Sequence, residues 1–162
     1  MKRFLTLILT LATLLALVGC GAANAASDGA EQSGCDPVAE DPCKAHEWTV
    51  ALTAKDITPT GLTIVCTASA DVPEDLLTGS FYVVEECRDG TWGKLDYLID
   101  NVGWTDEGWI IPPNAALEWE TNWEWLHGKL PTGEYRIGKE LLYRDGSELQ
   151  RCMHYAYFAI VD

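Results

Sequence analysis

The chain has 162 residues, 48 % hydrophobic and 10 % aromatic, which allows one domain with a sizeable core and excludes a wholly disordered chain. Eleven Lys and Arg stand against 25 Asp and Glu, a net charge of −14, so nucleic acid is a poor partner and so is direct electrostatic attachment to anionic lipid. Six Cys with only three His argue against a His-rich metal site.

The first element is an address. Lys2-Arg3 form a short positive region, and Phe4 to Val18 form an apolar stretch of signal-peptide length, too short for a comfortable transmembrane span. It ends in Leu17-Val18-Gly19-Cys20, which resembles the lipobox of bacterial lipoproteins. The residue types suit that chemistry: small Gly19 fits a protease subsite, and the Cys20 thiol is the group that carries the diacylglycerol. An ordinary secretory peptide cleaved after Gly19 or Ala23 is the competing expectation. Residues 1–19 are thus expected to be a lipoprotein signal peptide, and the remainder to face outside the cytoplasm, held to the membrane by lipid on Cys20. Losing residues 1–19 removes Lys2 and Arg3 and no acid, so the remainder is more acidic still and is repelled by anionic headgroups.

Residues 20–46 follow as the lipidated Cys and a linker, rich in Gly, Ala, Ser and acid with almost no large apolar residue. As a random coil the linker spans about 28 Å. With Cys20 committed to lipid, an odd number of thiols remains: Cys35, Cys43, Cys66, Cys87 and Cys152. Cys35 and Cys43 bracket two prolines in CDPVAEDPC, so a local Cys35–Cys43 bridge is expected first, Cys66–Cys152 second, with Cys87 left over. The alternative is that several thiols stay reduced. The paired CxxC or CxxH spacings that would indicate zinc are missing from the sequence.

From Trp48 onward, period-two runs alternate with Gly, Pro, Asn and Asp turns, and residues 47–162 read as one all-β domain. The expected strands cover 48–56, 61–69, 80–88, 91–99, 115–126, 133–144 and 148–161, with one helical turn suspected at Pro73–Leu77. Asp89-Gly90 and Asp145-Gly146 supply hairpin turn chemistry. Seven short strands suggest an antiparallel two-sheet sandwich. In the fifth, Leu117, Trp119, Thr121, Trp123 and Trp125 fall on one face and Glu118, Glu120, Asn122 and Glu124 on the other, which fixes its register. The run Leu130-Pro131-Thr132-Gly133-Glu134-Tyr135 has the pattern of a tyrosine corner, in which a Tyr hydroxyl bonds back to the backbone upstream.

With these motifs in place the chain resembles a known family. TNWEWLHGKLPTGEYRIGKEL, together with GLTIV, DGTW and WIIPPN upstream, resembles the bacterial Ig-like domain of Clostridia-type surface lipoproteins over about residues 48–161. The resemblance implies an Ig-like antiparallel β-sandwich of about seven strands, a binding or structural role, and no catalytic residue to carry over. Compared with antibody-type domains, Ile137 stands where the second core Cys would be, and Phe81 and Tyr82 stand where strand C would carry a Trp. The inter-sheet disulfide is therefore not expected.

Several groups remain as candidates for chemistry. Glu118, Glu120 and Glu124 form an acidic ladder with neighbours about 6.6–7 Å apart, compatible with a solvated face, a cation, or the carboxylate pair of an inverting glycosidase. The solvated face is the preferred reading, with no metal or cofactor assigned. Arg136 and Lys139 are expected to bridge to that ladder. Trp104 and Trp109 lie in the hydrophilic loop 101–113; Trp109 abuts Ile110-Ile111 and is expected to cover the core, leaving Trp104 as the possible ligand contact. His46, His127 and His154 are scattered, and Ser80 and Ser147 lack a nucleophile-elbow context. The expected function is a lipid-anchored, non-catalytic surface module whose partner is an envelope protein or glycan. The alternative is an accessory or hydrolytic domain acting on envelope glycans through the acidic strand face.

Overall fold

The computed structural model describes residues 34–35 and 47–162. The signal peptide, Cys20 and Cys43 lie outside the described residues. Among those described, no helix is long and apolar enough to cross a membrane.

Nine strands and one short helix follow in order: β1 (Val50–Thr58), β2 (Gly61–Ala68), β3 (Leu77–Gly79), β4 (Val83–Arg88), β5 (Thr91–Lys94), β6 (Gly108–Ile110), β7 (Ala116–Asn122), α1 (Glu124–His127), β8 (Gly133–Asp145) and β9 (Glu148–Ile160). Each of the seven expected strands has a counterpart, although the one expected over 91–99 stops at Lys94. They form two antiparallel sheets packed as a sandwich, one in the order β1-β2-β7 and the other in the order β5-β4-β8-β3-β6, with β9 on the free side of β8.

Local chemistry explains the hairpins. Asp89 and Gly90 both adopt positive φ, 51° and 75°, and join Arg88 to its partner Thr91, the two-residue turn whose twist matches the flanking strands. Between β8 and β9, Gly146 (φ 61°) follows Asp145, which pairs with Glu148. The tyrosine corner forms as expected: Tyr135 is 1 % exposed and its hydroxyl donates to the Pro131 carbonyl at 2.9 Å. Gly133 is needed beside it, because a Cβ there would stand 3.2 Å from the Tyr135 ring.

Three features depart from the expected strands. The fifth strand stops at Asn122, and the chain coils into α1 with the Asn122 side chain accepting from the Glu124 N–H at 2.9 Å. The coil breaks the alternation: Trp123 stays fully buried, Leu126 turns inward, and Trp125 turns out to 47 % exposure instead of joining the inner face. The turn at 73–77 forms, with Leu76 N–H donating to Pro73 at 3.1 Å, and runs straight into β3. Part of the loop 101–113 becomes β6, pairing with β3 along the lower half of β8.

The core lies between the sheets. Ile64 of β2 and Ile137 and Leu141 of β8 meet Trp123, Leu76 and Ile111, all at 1 % exposure or less. Trp123 donates its indole N–H to the Pro59 carbonyl at 3.0 Å, so the largest core side chain leaves no polar atom unpaired.

Candidate functional site

Strand β8 carries two buried cations on opposite faces. Along β8, Tyr135, Ile137, Lys139 and Leu141 point into the sandwich, while Arg136 and Gly138 point out. Neither cation reaches the acidic ladder, which corrects the expected bridge. Arg136, 7 % exposed, pairs with Glu85 across the β4–β8 register; its Nε donates to Glu85 Oε2 at 2.6 Å and its Nη2 reaches the same oxygen. Its guanidinium also lies 4.0 Å from the ring centre of Tyr155 and 4.8 Å from that of Trp92.

Lys139 is 4 % exposed, and its ammonium donates to the Gly79 carbonyl. It stands 5.5 Å from the ring centre of Trp109 and 5.7 Å from that of Trp119. No carboxylate forms an ion pair with it among the described residues. Burial pushes its pKa down to about 8, so it stays mostly charged at neutral pH.

The register explains this geometry. Trp109 of β6 pairs with Thr78 of β3, which pairs with Leu141 of β8, so Trp109 shares the inner face with Lys139. Trp119 of β7 pairs with buried Ile64 and faces them from the other sheet. The open side of the sandwich between β6 and β7 is a cleft of about 360 Å³ lined by these two indoles, Lys139, Ser80, Tyr82 and Thr121, with Glu118 and Glu120 also along it.

The two loop tryptophans exchange their expected roles. Trp104 packs edge-on against Phe81 at 5.4 Å and Tyr82 at 4.8 Å and lies against the core, whereas Trp109 lines the cleft. Adjacency to Ile110 misleads because a strand alternates: Ile110 is 62 % exposed while Trp109 and Ile111 face inward.

The acidic ladder keeps Glu118 and Glu120 on the exposed face of β7 and loses its third member. Glu124 begins α1, and Glu118 is held by Lys55 of β1 at 2.6 Å, reaching across β2. No group of three His, Cys, Asp or Glu suited to a metal occurs among the described residues.

The expected disulfides are corrected. Cys35 bonds Cys87, with Cα atoms 5.9 Å apart, so the bridge is neither the local Cys35–Cys43 loop nor one that leaves Cys87 over. Cys87 ends β4 on the outward-facing side, where the chain at residues 34–35 reaches it, and Gly34 N–H donates to Glu134 at 3.1 Å. Cys66 is a free thiol, wholly buried on the inner face of β2, so Cys66–Cys152 does not form; Cys152 is disulfide-bonded elsewhere. Burial pushes the Cys66 thiol up to about 11, which keeps it protonated and inert. No sequence signal distinguished these pairings, because each depends on which segments the sheets bring together.

Comparison with known proteins follows this geometry. A family model described as bacterial Ig-like domain matches residues 45–156. The chain belongs to the bacterial Ig-like domain family. In Ig terms β1, β2 and β7 are strands A, B and E, and β5, β4, β8 and β9 are C′, C, F and G. The pair β3–β6 is an addition along strand F, and the Ig-like domain builds its cleft there. Free Cys66 on strand B agrees with the missing inter-sheet disulfide. No curated protein matches the chain. Among solved structures, "Crystal structure of protein from Archaeoglobus fulgidus" is similar at a TM-score of 0.32 and 12 % identity, covering 70 % of this chain and 95 % of that one, a likeness too slight to carry fold or function across.

Proposed function

We propose that this Ig-like domain is a lipid-anchored module of the bacterial cell envelope, facing outside the cytoplasm, with a binding or structural role and no catalysis. The anchor reading is supported by Leu17-Val18-Gly19-Cys20 behind Lys2-Arg3 and the apolar stretch 4–18. The binding reading is supported by an apolar surface at one end of the domain, where Tyr97, Leu98 and Ile99 run beside α1 and Trp125, exposed by 43, 68, 45 and 47 %. Exposed apolar surface of this kind marks interaction sites more often than accident. The single observation that supports the non-catalytic reading is that Glu118, one of the two carboxylates that stay two residues apart on β7, is ion-paired with Lys55.

The test is fractionation of cells making the wild-type chain and Cys20→Ala. The wild type is expected in the detergent phase and Cys20→Ala in the soluble fraction. Persistence of Cys20→Ala with the membranes overturns the anchor.

A further inference from the structure

A buried ammonium without a carboxylate is an unusual possession. Taking a charge out of water is costly unless it is paired, and charged groups are almost never fully buried alone. Lys139 spends one of its three N–H donors on Gly79; around it are two indoles, a cleft that opens between the sheets, and buried His154, its partner in the β8–β9 register. Three of the other polar groups along the cleft are already engaged, Glu118 among them with Lys55. Tyr82 donates to the Asn122 carbonyl at 3.1 Å and Ser80 to the Thr105 carbonyl at 2.7 Å. Lys139 is the one cation along the cleft among the described residues, Thr121 and Glu120 offer a hydroxyl and a carboxylate beside it, and two of its walls are indoles.

We infer that the cleft between β6 and β7 binds a sugar ring carrying one carboxylate, a uronic-acid type of ligand, with the carboxylate on the Lys139 ammonium and the ring against Trp109 and Trp119. This goes beyond the binding-module reading, at a site that shares no residue with the apolar surface beside α1. Four observations select that chemistry. The charge on Lys139 favours an anion, because in a water-poor cleft a charge-assisted hydrogen bond is about twice as strong as a neutral one. The two indoles, 6.5 Å apart and inclined at 49°, form a concave corner suited to the C–H face of a pyranose ring. A volume of about 360 Å³ is at the small end of ligand sites, room for a single ring and its substituent. Glu118 and Glu120 along the same cleft, on a chain of net charge −14, disfavour polyanions, which leaves a ligand with one negative charge.

The experiment titrates the full chain in detergent micelles with glucuronate, glucose and acetate at millimolar concentration, following the indole N–H resonances of Trp109 and Trp119. Glucuronate is expected to shift both resonances saturably. Glucose lacks the charge and acetate lacks the ring, and each is expected to bind at least about tenfold more weakly, the factor that one charge-assisted hydrogen bond supplies. Lys139→Met should bring glucuronate down to the affinity of glucose. Trp109→Ala, on a short edge strand where the indole is half-buried, should weaken both sugars and leave acetate unchanged. No binding of glucuronate to the wild type, equal binding of glucuronate and glucose, equal binding of glucuronate and acetate, or undiminished binding to a folded Lys139→Met each overturns the inference. Should Lys139→Met unfold, undiminished glucuronate binding by folded Trp109→Ala overturns it in the same way. These outcomes leave the anchor untouched, since that reading stands or falls on where Cys20→Ala fractionates.

Discussion

Arg136 and Lys139 stand three residues apart on β8, are equally buried, and differ in everything else. Arg136 faces outward, forks onto Glu85 and is flanked by Tyr155 and Trp92, so its charge is matched inside the fold. Lys139 faces inward to a carbonyl, two indoles and an opening. A planar guanidinium with fixed donors suits a closed arrangement of aromatic faces and a carboxylate; an ammonium on a flexible stem suits a place where its partner arrives from outside. The contrast separates a charge that holds the sheet together from one that holds free bonding capacity.

The largest effect should come from breaking the paired side. Glu85→Gln leaves Arg136 buried without its counter-charge and should cost about 3–5 kcal/mol in chemical denaturation. A loss under about 1 kcal/mol would mean that Arg136 is hydrated in solution and that the two cations are more alike than their surroundings indicate.

The unpaired side should respond with the opposite sign. Lys139→Met removes a buried charge and should stabilise the domain at pH 7 by roughly 1–4 kcal/mol. The pH dependence sharpens this. Lys139 has a folded pKa of about 8 against an ordinary 10.5, so between those values the unfolded chain binds more protons and stability rises with pH, by about 3 kcal/mol in total. Below pH 8 it is charged in both states and the penalty is constant. Cys66, pushed up to about 11, and Tyr82, pushed up to about 12, act in the reverse direction as their unfolded forms ionise. The readout is therefore the difference between wild type and Lys139→Met from pH 7 to 10, which should shrink steadily. A constant difference would show that Lys139 does not titrate in that window.

Tyr135, inward-facing on the same strand and neutral, supplies a reference of intermediate size. Tyr135→Phe keeps the ring stacked on Phe158 and loses the bond to Pro131, at a cost of about 1–3 kcal/mol in thermal or urea unfolding. A cost near zero would mean that the corner hydroxyl is solvated. Smallest of all is Lys55→Ala, which frees Glu118 on the outer face of the other sheet; for so exposed a pair the expected loss is close to the error of the measurement and should fade with added salt. A larger, salt-insensitive loss would place the acidic face among the structural charges with Arg136.

Most of the fold was legible in the sequence because its signals are local. Alternation marked the seven longer strands, Asp89-Gly90 marked a turn that needs two positive φ values, and LPTGEY marked a corner closed within four residues. The three-residue strands β3 and β6 were not legible, since segments so short acquire strand geometry only by pairing with each other and with β8. Trp125 was misplaced for a related reason: alternation predicts a face only while the chain stays extended, and the end of β7 at Asn122 was not marked.

The sequence by itself determined which residues face inward along each long strand, because a period of two needs no knowledge of the partner. Applied to β8, that period puts Lys139 on the face of Tyr135 and Ile137, not in the bridge to the acidic ladder that was expected of it. Only the tertiary structure decided what lies opposite. Trp109 meets Trp119 across the open side of the sandwich, Cys35 meets Cys87 over 52 residues, and Arg136 finds Glu85 while Lys139 finds no acid among the described residues. The physical reason is that a side chain's direction is set by its own backbone, whereas its neighbours are set by the register and stacking of segments distant in sequence, which the entire core must settle together.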